Sequence, residues 1–106
     1  RLQQWVRSLL IETFNLGEDD VQSRSMGANG EDVMLSPAAR HCFPYSVECK
    51  NVERLNVWDA YQQACDNAGG HEPLLIMKRN HKEPLAVVDA KHFIGVKDVK
   101  AVDESV

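Results

Sequence analysis

The stretch YSVECK, residues 45–50, has the alternation of a β-strand with apolar side chains on one face and polar ones on the other. Side chains two positions apart in a strand share a face, so Val47 and Cys49 are predicted to pack into a core layer. Glu48 and Lys50 then point together to the opposite side. We therefore predict a strand from Tyr45 to Lys50 that carries a carboxylate and an amine side by side.

The first sixteen residues are predicted to form a helix that ends at Gly17. Its apolar stripe, at the i, i+3, i+4 spacing of a helix, consists of Leu2, Trp5, Val6, Leu9 and Leu10. Glu12 is expected at the border of this stripe, where a carboxylate needs a partner. It could instead reach solvent, or pair with Arg7 or Arg24.

Between this helix and the strand at residues 45–50, the sequence predicts a hairpin. Short strands are expected from Val21 to Ser25 and from Asp32 to Leu35, joined by the turn residues Gly27 to Gly30. Residues 36–44 are expected to be a longer connection, because they begin and end near prolines that fit poorly inside a central strand.

The second half of the sequence is predicted to form a helix and two strands. Asn56 is expected to cap a helix that continues until Gly69 and Gly70. Strands are predicted from Leu74 to Met77 and from Leu85 to Val88, joined by a polar loop at residues 78–84. The order of helix, three strands, helix and two strands predicts one α/β (α+β) domain over residues 1–106, with a mixed central sheet flanked by helices.

Composition narrows the class of protein. The chain has 106 residues, of which 43% are hydrophobic and 26% charged, as in an ordinary globular domain. The three cysteines lack C-x-x-C spacing, which argues against a disulfide framework and a zinc ribbon, and the four histidines share no ligand spacing. Without a membrane span or signal peptide in the sequence, we expect an intracellular protein. A short terminal element is expected within residues 97–106.

Asp32, Glu48 and Lys50 are the residues that suggest chemistry. Hydrolysis of a phosphodiester requires charge neutralisation and an activated water, which Mg²⁺ can supply when carboxylates hold it. Asp32 and Glu48 are the predicted ligands, with the backbone carbonyl of Cys49 as a third and Glu12 completing the set. Lys50 would polarise the attacking water. Gln62, on the following helix, is a candidate to assist the ligands, or a plain solvent-facing residue.

The net charge of −4 disfavours a broadly basic surface, so binding of nucleic acid would depend on local clusters. The candidates are Arg24, Arg54, Lys78 and Arg79. The competing interpretation is that these are solvated surface charges. Trp5 and Trp58 are expected in the core or at a dimer interface, although Trp58 could also stack on a base.

Glu-x-Lys is common by chance, and its context gives it weight. The sequence has an acidic residue after a glycine-containing turn, then Glu-x-Lys on an apolar strand, and then a helix directly after that strand. This order resembles the PD-(D/E)XK nuclease superfamily, which has a restriction-endonuclease-like core. Asp32 matches the Asp of the motif, Glu48-Cys49-Lys50 matches (D/E)XK, and Glu12 matches the first-helix glutamate of many members. Glu31 stands where the motif has Pro, which leaves open whether Glu31 or Asp32 faces the metal. Strand phase favours Asp32.

By size and spacing, the chain is most similar to Holliday junction resolvases and virus-type replication-repair (VRR-NUC) nucleases. The resemblance implies a Mg²⁺-dependent endonuclease, with Mn²⁺ as a substitute, that acts on branched DNA in repair and forms a homodimer. It also implies that the protein works in the cytoplasm of a bacterial or phage-infected cell. The alternatives are a nuclease for RNA or single strands, and a non-catalytic module that binds nucleic acid or protein with the same fold.

Overall fold

The chain folds into a five-stranded sheet with helices on both faces, in a computed structural model that describes residues 1–23 and 32–96. The helices are α1 (Leu2–Phe14), α2 (Pro37–Cys42), α3 (Val57–Asp66) and α4 (residues 90–96), and a 3-10 turn covers Glu18–Asp20. The strands are β1 (Val21–Ser23), β2 (Val33–Leu35), β3 (Tyr45–Asn51), β4 (Glu72–Lys78) and β5 (Leu85–Val87).

The strands lie in the order β1-β2-β3-β4-β5. The first three form an antiparallel meander, β4 is parallel to β3, and β5 is antiparallel to β4 at the edge. Helix α3 connects the two parallel strands, as a parallel pair requires. The predicted mixed sheet flanked by helices is confirmed, and so is the predicted order of helix, three strands, helix and two strands, to which α2 and α4 are added.

The main core lies between the sheet and α1. On the helix, Leu2, Val6 and Leu10 are buried, and on the central strands they meet Val47 and Cys49. Register holds this layer together, because Val33, Val47 and Leu74 lie side by side across three strands. Three aligned strands therefore present one continuous apolar surface to α1.

The second layer lies between α3 and the other face of β3 and β4. Ala60 and Ala64 of α3 are buried, and small side chains let a helix approach a sheet closely. Beneath the helix, Leu75 is fully buried next to Glu48 on the neighbouring strand. The predicted cap is confirmed, since the Asn56 side chain accepts a hydrogen bond from the Asp59 backbone N–H at 3.1 Å.

Two predictions about local structure are wrong. Helix α1 ends at Phe14, before Gly17, because Asn15 adopts the left-handed conformation that asparagine tolerates at a helix end. The supposed connection at residues 36–44 contains α2. Ser36 caps that helix and Pro37 occupies its first turn, where a missing N–H costs nothing.

Several predicted features have different limits or lie outside the described residues. Strands β3 and β4 extend beyond their predicted ends, to Asn51 and Lys78, whereas β5 ends one residue early. The turn at Gly27–Gly30 and the element within residues 97–106 lie outside the described part of the chain. Among the residues that are described, none of the helices has the length and apolar character to cross a bilayer.

Neighbouring leucines of α1 test how this helix is held. Leu10 is 6% exposed and Leu9 is 45% exposed. We expect Leu10→Ala to lower the free energy of unfolding by about 2–5 kcal/mol, because it leaves a cavity in the main core. Leu9→Ala, the matched control, should change it by less than about 1 kcal/mol. Urea denaturation measures both, and equal losses would contradict this packing.

Candidate active site

Asp32 is fixed against β3 through the backbone. Its N–H donates to the Val47 carbonyl at 2.8 Å, and its Oδ2 accepts a hydrogen bond from the Cys49 N–H at 2.7 Å. Because Val33 lies opposite Val47 in the core layer, Asp32 comes beside Glu48 on the α3 face. Val33 and Leu35 pack together in the core that faces α1, so strand alternation puts Asp32 on the opposite face, and its contact with a metal stays a prediction. Glu31 lies outside the described residues.

Glu48 is a buried carboxylate, only 5% exposed. Its Oε1 accepts a hydrogen bond from Asn67 Nδ2 at 3.2 Å, and its Oε2 lies 3.6 Å from Lys50 Nζ. Burial raises the pKa of Glu48 and the charge of Asp32 raises it further, whereas Asn67 and Lys50 oppose the rise. The net direction is upward, so these two partners leave the charged form incompletely compensated, and an additional cation would stabilise it.

Lys50 connects this buried pair to the surface. Its side chain is 29% exposed and lines an open cavity of ≈ 540 Å³ between the end of β3 and the flank of α3. Gln62 and Gln63 line the same cavity. The amine can therefore contact Glu48 on one side and a molecule arriving from solvent on the other.

Cys49 has a structural part in this arrangement. Its side chain is buried in the core that faces α1, as predicted, while its N–H holds Asp32. Burial and the charges of Asp32 and Glu48 raise the pKa of the Cys49 thiol to about 12. The thiol is therefore protonated at neutral pH and is no nucleophile. The role expected of its backbone carbonyl stays a prediction.

The structure does not place Glu12 with Asp32 and Glu48. Glu12 is exposed on α1 rather than at the border of the apolar stripe, and α1 packs on the face of the sheet opposite to Glu48. The N-terminal part of α1 is the part near Asp32, because the Gln4 side chain donates to the hydroxyl of Ser23, which is paired with Val33 across the strands. Glu12 lies about 12 Å further along the helix axis than Gln4, and so away from Asp32. The expected fourth ligand is therefore absent from this cluster.

The residues of α3 near the cluster are only partly those that the sequence predicted. Gln62 lines the Lys50 cavity, but its amide donates to Asp66 of its own helix at 3.0 Å. Sequence reasoning missed Asn67, which binds Glu48, and Gln63. The nineteen-residue separation of Asn67 from Glu48 gave no local signal, although Asn67 directly follows the last turn of α3.

The predicted nucleic-acid-binding residues lie in different places. Lys78 and Arg79 line a second cavity beyond the ends of β3 and β4, and Arg54 is exposed in the segment that leads into α3. Arg24 lies outside the described residues. The structure thus puts three of the four candidates at the end of the sheet where Lys50 lies.

The tryptophans and histidines take no part in this cluster. Trp58 is 85% exposed and Trp5 is 45% exposed, so neither lies in the core, whereas the alternative of a dimer interface stays a prediction. His92 contacts the hydroxyl of Tyr45 at 2.7 Å, at the opposite end of β3 from Lys50. Within residues 1–23 and 32–96, no three His, Cys, Asp or Glu side chains form a group that could hold a metal ion by themselves.

Comparisons of this chain with family models, with curated proteins and with solved structures found no match.

The buried charge of Glu48 predicts how stability depends on pH. Because its pKa is raised in the folded state, folding favours its protonated form, and stability is lost as the pH rises above the usual value of 4.5. We expect Glu48→Gln to raise Tm by a few degrees at pH 7 in EDTA, since the amide keeps the shape and removes the buried charge. The gain should disappear below about pH 4.

Glu12→Gln is the matched control, because it makes the same change at an exposed carboxylate. Its Tm should follow that of the unmodified chain at every pH. A Glu48→Gln variant that is less stable than the unmodified chain at pH 7 would show that the charge is compensated, and would contradict the electrostatics described above.

Proposed function

We propose that this protein is a Mg²⁺-dependent endonuclease that hydrolyses phosphodiester bonds of DNA, with branched or otherwise structured DNA as its substrate. The observation that carries the proposal is the position of Glu48. It is a buried carboxylate with a second carboxylate, Asp32, on one side and the amine of Lys50 on the other. A protein that needed only stability would gain by replacing such a group with an apolar one.

The donor set fits a hard divalent cation. Asp32 and Glu48 offer carboxylate oxygens, the charge of Asp32 disfavours the charged form of Glu48, and Mg²⁺ takes such ligands together with several waters. We propose that these two residues, with the Cys49 carbonyl, hold the ion, and that Mn²⁺ can replace it. The ion would neutralise phosphate charge and lower the pKa of the attacking water.

The side chains have separate tasks in this proposal. Asp32 is oriented by the Cys49 N–H and Glu48 by Asn67, so neither carboxylate must be ordered when the substrate arrives. Lys50 donates hydrogen bonds from its amine to the attacking water and balances charge on the phosphate. Its partial exposure beside the open cavity suits contact with a polymer that approaches from solvent.

The resemblance to PD-(D/E)XK nucleases supports the choice of substrate. The motif residues Asp32, Glu48 and Lys50 lie on one face of adjacent strands, and the helix, three-stranded meander, helix and further strands follow the order which that resemblance implies. A homodimer is part of the proposal. The exposed apolar side chains Ile94 and Val96 of α4 would lose water contact on self-association.

Cleavage of labelled DNA tests the proposal. We expect purified protein to cut a four-way junction or flap with Mg²⁺ or Mn²⁺ and to be inactive in EDTA. Asp32→Ala should abolish cutting, because it removes one of two carboxylate ligands. Lys50→Ala should lower kcat about 100-fold or more, as expected when an electrostatic contact to the reacting phosphate is lost.

Asp19→Ala is the control, since Asp19 is an exposed aspartate in the 3-10 turn. It should keep full activity. Binding of DNA without cutting under every metal condition would contradict the enzyme and favour a non-catalytic binding module. Cutting of RNA or single strands alone would keep the chemistry and replace the substrate.

A further inference from the structure

A second cavity, of ≈ 570 Å³, lies next to the Lys50 cavity at the carboxyl ends of the parallel strands β3 and β4. The two cavities share Val52 and Leu55 as lining residues. Ligands commonly bind where parallel strands end, and pockets for small groups measure about 300–1,000 Å³. Both its place and its size therefore suit a binding site that continues from Lys50.

Strand register places this second cavity directly beside Lys50. Lys50 of β3 is paired with Met77 of β4, and Met77 is paired with Leu85 of β5. Paired residues share a face of the sheet, so the three side chains form a row on the α3 face. Neighbouring strands are about 4.8 Å apart, which puts Leu85 about 10 Å from Lys50. Met77 and Leu85 both line the cavity.

The cavity has an apolar interior. Val52, Leu55, Val57, Met77 and Leu85 line it, and two of them keep large exposed fractions, 45% for Val52 and 61% for Leu85. Apolar side chains left in water at the end of a sheet mark a surface that gains by covering. The described residues around this cavity include no aromatic side chain.

The rim of the cavity is basic and held in place. Lys78, Arg79 and Lys82 line it, against the two carboxylates Glu53 and Glu83. Glu53 already accepts a hydrogen bond from the Asn80 N–H, which ties the turn after β4 to the segment after β3.

A second hydrogen bond, this one between two backbone groups, strengthens the tie: the Val52 N–H donates to the Lys78 carbonyl at 3.1 Å. Because these two bonds already fix the backbone of the rim, a ligand with an apolar part and a negative charge would have to order only side chains on binding.

We propose that this cavity receives one unpaired nucleobase of the substrate strand, next to the phosphate at Lys50, while Lys78, Arg79 and Lys82 contact the phosphates on either side. The proposal rests on the nuclease function and deepens it: the substrate is DNA with an unpaired nucleotide adjacent to the cut. A base has apolar faces and is covalently joined to phosphates, so it matches both the interior and the rim. A base within a duplex is held by its pair and its stack, and extracting it costs free energy.

A fluorescent base distinguishes this cavity from other places where a base could bind. The probe is a duplex with a single-stranded flap, in which the first unpaired nucleotide is 2-aminopurine, titrated with protein in Ca²⁺. 2-Aminopurine is quenched by stacking on neighbouring bases or aromatic side chains. Since the described lining is aliphatic, transfer into the cavity should raise its fluorescence. The same duplex with 2-aminopurine paired should give no rise.

Leu85→Trp tests the cavity itself, by filling it from an exposed position on the edge strand β5. It should remove the fluorescence rise, because the introduced indole either occupies the space of the base or quenches a base held beside it, and it should not weaken binding of the fully paired duplex. Leu9→Trp, at a half-exposed position on the opposite face, is the control and should leave both unchanged. Lys82→Ala should weaken binding but keep the rise at saturation, which separates phosphate contact from base contact.

No change in fluorescence, or a rise that survives Leu85→Trp in a folded variant, would overturn the proposal. Quenching would also overturn it and would indicate stacking on an aromatic side chain such as the exposed Trp58. Cleavage of the same flap DNA in Mg²⁺ is measured in parallel. Cutting without a fluorescence rise rejects the base site alone, whereas a rise in a protein that never cuts rejects the nuclease and leaves a binding module.

Discussion

Strand β3 is buried on both faces, and this constraint determines where the rest of the structure can go. On one face Val47 and Cys49 belong to the core under α1, and on the other Ser46 and Glu48 are covered on the α3 side. Because successive side chains of a strand point to opposite faces, the sequence of β3 determines which residues enter which layer. A carboxylate is therefore held inside a protein of 106 residues, at a position where burial opposes its charge.

The polar groups around Glu48 partly offset the unfavourable burial of its charge. Asn67 and Lys50 each stabilise its charge, while Asp32, held rigidly by the backbone of the same strand, works against it. Two carboxylates held side by side are unfavourable alone and favourable around a cation. In the proposed enzyme, Lys50, which lines the open cavity, would supply the positive neighbour that a bound phosphate needs.

Sequence patterns predicted the parts of the fold that depend on neighbouring residues. The phase of β3, the cap at Asn56 and the position of Asp32 beside Glu48 all follow from alternation or local hydrogen bonding. Features that depend on distant contacts were missed. Helix α2 is anchored by the Ser36 hydroxyl, which donates to Asp20 sixteen residues away.

The position of Glu12 was also beyond local patterns. It depends on the direction in which α1 crosses the sheet, which the apolar stripe of a helix leaves undetermined. The position of Trp58 was likewise not predictable from local sequence patterns. This residue was expected in the core or at a dimer interface, but it lies in the first turn of α3 on the outside, and the side chains that this helix buries are Ala60 and Ala64.

The most direct test of the central claim is a crystal structure of the protein with Mn²⁺, using anomalous scattering to locate the ion. The account predicts a peak bonded to the carboxylates of both Asp32 and Glu48, and no peak there in crystals of Asp32→Ala. An ion bound elsewhere, or none at millimolar Mn²⁺ with Glu48 still paired to Asn67 and Lys50, would contradict it.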